Sequence, residues 1–242
     1  MRLLVSVVDA AEARLGVAGG VEVVDVKNPA EGSLGAPAPR VVAEVRAALP
    51  AHLPLSVAIG DLPSLPGTAA LAALGAAHAG AAYVKVGLWG SSTVDEAVAV
   101  LSAARDAVGG DAAVVAVTYA DAARVPSRPL PPADLVTAAR RAGVGGCLLD
   151  TSVKDGRGLL AWLGPDALAA LVDEAHGAGL EIALAGELHA EDLPAIRATG
   201  ADVAGVRSAA CRDGRRTAPL DPARIARLRA ACAGPAAAIP AR

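Results

Sequence analysis

Residues 21–35 read VEVVDVKNPAEGSLG. Val24 and Val26 alternate with Asp25 and Lys27, and the run stops abruptly in a segment of Asn, Pro, Gly and Ser. In a strand, residues i and i+2 share a face about 7 Å apart, so Asp25 and Lys27 point one way and the two valines the other. Valines turned toward covering helices leave the charged pair turned toward the inside of a sheet. The stretch therefore predicts a buried strand that carries chemistry at its carboxyl end.

The same kind of run recurs along the chain. Apolar, branched stretches predict strands at about 2–8, 21–27, 53–60, 82–88, 112–120, 146–152, 181–187 and 202–208. Helix-period stretches lie between them. Thr93 ahead of Asp95 and Glu96, Pro165-Asp166 and Asp221-Pro222 mark helix starts, and Gly80, Gly143, Gly179 and Gly200 mark stops. Eight strands alternating with helices, without a break in composition, predict an α/β fold: a single-domain (β/α)8 TIM-type barrel over residues 1–233. A doubly wound open sheet is the alternative. It is disfavoured because no strand reads as a polar edge and no GxGxxG follows the first strand. VPSRPLPP at 125–132 is expected as a loop after strand five, and 234–242 as a flexible tail.

Composition narrows the function. The chain has 242 residues, 54% of them hydrophobic, yet no Phe and only two Trp and two Tyr. That diet suits close helix-on-sheet packing and supplies no stacking platform for single-stranded nucleic acid. A net charge of −3 without a basic run gives little to hold a polyphosphate backbone. No apolar run reaches 18 residues without a charge or turn, and MRLLVSVVDAAEA is interrupted too early for a signal peptide. Neither nucleic acid nor membrane is expected as a partner. Cys147, Cys211 and Cys232 are odd in number and lack metal-ligand spacing, which fits a reducing cytoplasm. His52, His78, His176 and His189 are scattered, so no metal or cofactor is expected. Barrels of this size commonly associate, and a homo-oligomer is expected.

Of the 22 basic residues only Lys27, Lys85 and Lys154 are lysine; the other 19 are arginine. Lys27 closes strand two, Lys85 lies in strand four, and Lys154 follows strand six. Barrel active sites form where strands end and βα loops begin, and interior layers draw side chains from alternate strands such as two, four and six. Tyr83, Lys85 and Gly87 share a face, as do Leu148, Asp150 and Ser152. The expectation is a cluster of amines with Asp25 and Asp150 at the barrel mouth. A lysine in low dielectric beside another ammonium has its pKa lowered, and its neutral amine can attack a carbonyl to form a Schiff base. Arginine stays protonated and cannot replace it. The plainer reading makes each lysine a buried ion pair with Asp25 or Asp150.

Strands seven and eight end in ALAGELHAED and GVRSAACRDG. Loops after these strands often bind phosphate through backbone N–H groups. Gly186, Gly205, Arg207, Ser208 and Ala209 are candidates for that role, with Ser33 of GSLG as a further anion contact. A glycine that merely eases a turn is the competing reading.

DVKNPAEGSLGAP, GDLPSLPGTAALAALGAA, YVKVGL, LLDTSVKDGR, ALAGEL and GVRSAAC, in this order, resemble the (5-formylfuran-3-yl)methyl phosphate synthase family, from the first strand to about residue 215. The family is also called 4-(hydroxymethyl)-2-furancarboxaldehyde-phosphate synthase and is associated with methanofuran biosynthesis. The resemblance implies a barrel lyase that joins two glyceraldehyde 3-phosphates into a furan aldehyde phosphate. By motif, Lys27 would be the Schiff-base residue and Lys85 the proton acceptor, with Asp25, Asp150 and Lys154 as further charged site residues. Glu187 and Ser208 depart from the family pattern, where a small residue and Gly are commoner. A class I aldolase or isomerase on another sugar phosphate would use the same residues, and a sugar-phosphate-binding barrel without catalysis would need no free amine.

Overall fold

The protein was analysed as a computed structural model, which describes residues 1–234; the expected tail lies, beyond Gly234, outside the described residues. Eight parallel strands follow in order: β1 (Arg2–Val7), β2 (Val23–Val26), β3 (Leu55–Pro63), β4 (Tyr83–Gly90), β5 (Ala113–Tyr119), β6 (Gly146–Asp150), β7 (Glu181–Leu184) and β8 (Val203–Val206). Each pairs with the next, and β8 pairs with β1 from Arg2↔Val203 to Val5↔Val206, so the sheet closes. That closure excludes the open doubly wound alternative. The helices are α1 (Ala10–Ala18), α2 (Pro39–Ala48), α3 (Pro66–His78), α4 (Val94–Val108), α5 (Leu135–Ala142), α6 (Pro165–Gly177), α7 (Leu193–Ala198) and α8 (Pro222–Ala233).

The helix starts follow from local chemistry. Thr93 Oγ1 accepts the Glu96 N–H at 3.3 Å, and Glu96 accepts the Thr93 N–H at 3.1 Å, a reciprocal cap on α4. Asp221 accepts the Ala223 N–H at 2.9 Å to open α8. Pro165 and Pro222 stand at first-turn positions, where a missing N–H costs nothing.

Alternation along the strands makes two cores. Val5, Val24, Val26, Val57, Val84, Val86, Leu149 and Ile182 face outward and pack with helix residues such as Leu101, Leu168 and Ile225. Leu4, Val23, Ala58, Val117, Leu148, Ala183 and Val203 face the axis. Each fully buried Val or Leu contributes roughly 1.5–3 kcal/mol, so the two layers together fix which strand face points inward. Near the carboxyl ends, the interior is plugged on the β3–β5 side by Leu34, from the β2–α2 segment, and by Tyr119. Trp89 meets the Tyr119 ring edge-on, with centroids 5.7 Å apart. The mouth is left open beside β6, β7, β8, β1 and β2.

Ser152 does not share the inner face of Leu148 and Asp150 that strict alternation predicts for it, because β6 ends at Asp150. Its N–H and hydroxyl turn instead to the Asp121 carboxylate, at 2.7 and 2.9 Å.

Candidate active site

Lys27 is the first residue past β2, yet its N–H still donates to Val7 O at 3.1 Å. The backbone keeps its strand direction, so the side chain follows Asp25 onto the inner face. Asp25 is wholly buried; Lys85 Nζ lies 2.6 Å from its Oδ1 and the Ser6 hydroxyl donates to its Oδ2 at 2.9 Å. The contact at Oδ1 is an ion pair and not an aligned hydrogen bond. Asp150, at the end of β6, takes the Thr151 N–H at 2.7 Å and Lys154 Nζ at 3.0 Å.

Lys154 arrives by a route other than an extended strand. The segment after β6 folds back because Asp121, itself buried, accepts the N–H groups of Ser152 and Val153 at 2.7 and 2.9 Å. Lys154 Nζ then donates to Thr151 O at 2.7 Å as well as to Asp150. Lys27, Lys85, Lys154, Asp25 and Asp150 all line one pocket, together with Gly186, Gly205, Arg207, Ser208 and Arg216. A second cavity, at the amino-terminal end of the barrel, holds the underside of Lys85 but none of the other four.

The amines are not equivalent. Lys85 and Lys154 are each paired with a carboxylate, whereas among the described residues no carboxylate lies within 4 Å of Lys27 Nζ. Lys27 is only 7% exposed. Burial lowers its pKa from 10.5 to about 8; Lys85 and Lys154 push in the same direction, and Asp150 and Asp25 oppose them. Burial alone would raise the Asp150 carboxyl, but the Lys154 and Lys27 ammonium groups outweigh it and hold Asp150 at about 2.

The phosphate-side candidates divide. Among the described residues, the N–H groups of Gly186, Glu187, Ser208 and Ala209 donate to no protein acceptor, so four amides at the ends of β7 and β8 stand open. Gly186 has φ +111, and a Cβ there would lie 2.9 Å from the Thr151 backbone nitrogen. Glu187, at φ +48, turns its carboxylate to the Gly156 N–H at 3.3 Å. Arg207 is buried and its guanidinium is taken up by the protein. It donates to Glu12 at 2.7 and 3.2 Å, to Ser6 O at 2.8 Å and to Arg216 O at 2.9 Å. Ser33 is buried as well; its hydroxyl donates to Thr151 O at 3.1 Å and leans on Asp150 at 3.5 Å. The open cation at this rim is Arg216, which lines the pocket and, among the described residues, has no carboxylate within 4 Å.

Sequence reasoning did not single out Asp61, Asp121, Glu12 or Arg216. Asp121 and Asp61 each follow the end of an apolar run, the one signal that marks them. Glu12 and Arg216 carry no local signal, since closure of β8 onto β1 alone brings them near the site. Among the described residues no three His, Cys, Asp or Glu side chains converge in a metal-holding group, and no helix is long and apolar enough to cross a membrane.

Three lysines and two buried aspartates gathered on the inner face, toward the carboxyl ends of the strands, give the layout of a barrel enzyme. The chain belongs to the 4-HFC-P synthase family, whose model matches residues 3–229. It is 47% identical over 218 residues to the (5-formylfuran-3-yl)methyl phosphate synthase of Methanopyrus kandleri, covering 89% of this chain and 91% of that one. The protein of the same name from Methanocaldococcus jannaschii is 44% identical over 220 residues, covering 89% and 92%. Among solved structures, 3-hexulose-6-phosphate synthase from Salmonella typhimurium superposes with a TM-score of 0.62 at 20% identity, covering 94% of this chain and 98% of the other; this likeness is one of fold.

Proposed function

We propose that this barrel is a carbon–oxygen lyase that joins two molecules of glyceraldehyde 3-phosphate into (5-formylfuran-3-yl)methyl phosphate, with Lys27 as the Schiff-base nucleophile. The observation that carries the reading is the Lys27 amine: buried, without a carboxylate beside it, and with a pKa near 8. At pH 7.5 about a quarter of such an amine is neutral, against roughly one part in a thousand for an ordinary lysine. The names of the relatives support the product.

One glyceraldehyde 3-phosphate is isomerised to its ketone, a proton passing from C2 to C1 and another from the C2 hydroxyl to the C1 oxygen. The neutral Lys27 amine adds to the ketone carbon. Lys85, ion-paired with Asp25, gives its proton to the carbinolamine hydroxyl, which leaves as the first water. Lys85, now neutral, takes the C2 proton of the second glyceraldehyde 3-phosphate, and phosphate leaves from C3 of that molecule. Asp25 favours the return of charge to Lys85. The enol so formed attacks the iminium carbon through its C3, which makes the branched skeleton the furan needs. Loss of a proton from that C3 expels the Lys27 amine and leaves a carbon–carbon double bond. The free hydroxymethyl group closes onto the neighbouring ketone, and the second water leaves to give the furan. From two triose phosphates to the furan, atom balance requires one phosphate and two waters to leave. Asp150 and Lys154, 3.0 Å apart, are placed to relay those protons. The open amides of Gly186, Glu187, Ser208 and Ala209, with Arg216, hold phosphate. Arg207 braces the loop from behind.

Mass spectrometry of the product from glyceraldehyde 3-phosphate alone tests the reading, with Lys27→Ala and Lys85→Ala beside the native protein. A furan aldehyde phosphate from the native chain, absent with Lys27→Ala, is expected. An aldol product without furan absorbance would point to the aldolase alternative, and unchanged substrate to a binding protein.

A further inference from the structure

Asp61 faces the barrel mouth only because β3 is irregular. Ser56 and Ala58 face inward, so strict alternation would turn Asp61 toward the helices. The pairing with β4 instead steps from Ala58↔Lys85 to Asp61↔Gly87, one residue longer on β3, with Gly60 at φ +111. This bulge brings Asp61 onto the inner face. Two glycines leave room for its carboxylate: a Cβ on Gly87 would lie 2.7 Å from Oδ1, and one on Gly32 would lie 2.9 Å from Oδ2.

Asp61 Oδ2 accepts the Leu34 N–H at 3.3 Å, while Oδ1 is buried without a hydrogen-bond partner. Leu34 is wholly buried in the barrel interior, and Ser33 beside it bonds toward Asp150 and Thr151. The segment 28–35, which begins directly after Lys27, is thus fastened on one flank by Asp61 and on the other by Asp150. Its ends are joined by the Asn28 N–H donating to Gly35 O at 2.8 Å.

We propose that Asp61 is a positioning residue: through Leu34 it seats segment 28–35 on the barrel mouth, and closure of that segment takes up a proton on Asp61. Burial raises the Asp61 pKa from 3.8 to about 6. The Leu34 N–H opposes the rise, Asp150 adds to it, and Lys27 and Lys154 lower it. Of the other charges near this wedge, Lys85 is committed to Asp25 and Glu31 to the Asn28 side chain. A raised carboxyl pKa means the closed state gains stability from the protonated form, fully below about pH 4, and loses it as pH rises through about 6. The role deepens the reaction proposed above, since a closing segment next to Lys27 would shield an iminium from water. Only the kinetic part of the test rests on that reading.

The test compares Asp61→Asn and Asp61→Ala with the native chain between pH 4.5 and 8.5. Hydrogen exchange of segment 28–35 and Tm need no substrate. At pH 8, Asp61→Asn slows exchange of the Leu34 amide several-fold and raises Tm by ~3–6 °C, and both differences fade toward pH 4.5. Asp61→Ala, which removes the acceptor, speeds exchange at every pH. With glyceraldehyde 3-phosphate, Asp61→Asn removes an inflection near pH 6 from kcat/KM, and Asp61→Ala raises KM more than it lowers kcat. Equal loss of Tm in Asp61→Asn at both ends of the range, or unchanged exchange in Asp61→Ala, overturns the proposal. Exchange that responds while no furan forms would leave this inference standing and remove the reaction; furan formation with unresponsive exchange does the reverse.

Discussion

Replacing Lys27 by Met should make the protein more stable while abolishing its chemistry. The fall in the Lys27 pKa from 10.5 to about 8 means that the fold disfavours the ammonium form by ~3 kcal/mol. That burden is full below about pH 8, where the amine is charged in both folded and unfolded chains. It shrinks as pH climbs toward 10.5, because the folded amine is then neutral and only the unfolded one is charged. Met fills similar volume without the charge. A 1 kcal/mol gain shifts Tm by ~2–4 °C in a chain of this size, so calorimetry at pH 7 should show Lys27→Met melting ~5–10 °C higher. At pH 9.5 less than half of the gain should remain. A Lys27→Met protein destabilised equally at pH 7 and 9.5 would show that the amine is an ordinary ion-paired structural group, and the nucleophile argument would fall.

Other perturbations separate the roles of neighbouring groups. Asp150→Asn removes a carboxylate held at about 2, worth ~2 kcal/mol above pH 4 and lost as pH falls toward 2. Acid unfolding of the variant should lose that part of its pH dependence, and the pH at which Lys27 becomes reactive should move below 8. Arg207→Ala strands buried Glu12 and should cost ~3–5 kcal/mol in denaturant unfolding. Arg216→Ala should leave stability nearly unchanged and raise KM at least ~10-fold, as loss of a charged phosphate contact does. Gly186→Ala combines φ +111 with a Cβ 2.9 Å from the Thr151 nitrogen. It should destabilise by ~1–3 kcal/mol in thermal melts.

The barrel was legible because its strands are runs of Val, Leu and Ile with a fixed inner and outer phase. VVDV and YVKV announce both the buried valines and the inward charges, and Asp25, Lys27 and Lys85 lie where that phase puts them. Lys154 reaches the site because Asp121 bends the backbone, which no periodicity encodes. Asp61 was hidden for a related reason: one extra residue at Gly60 inverts the phase of β3. Arg207 looked like a phosphate donor in GVRSAAC because its partner, Glu12, is 195 residues away and becomes a neighbour only when the cylinder closes.

The most direct measurement is borohydride reduction of the native protein in the presence of glyceraldehyde 3-phosphate, followed by peptide mass mapping. A reduced triose adduct on Lys27, lost in Lys27→Met and kept in Arg216→Ala at saturating substrate, is the predicted result. Furan product formed with no trapped adduct, or with the adduct on Lys85 or Lys154, would contradict the account.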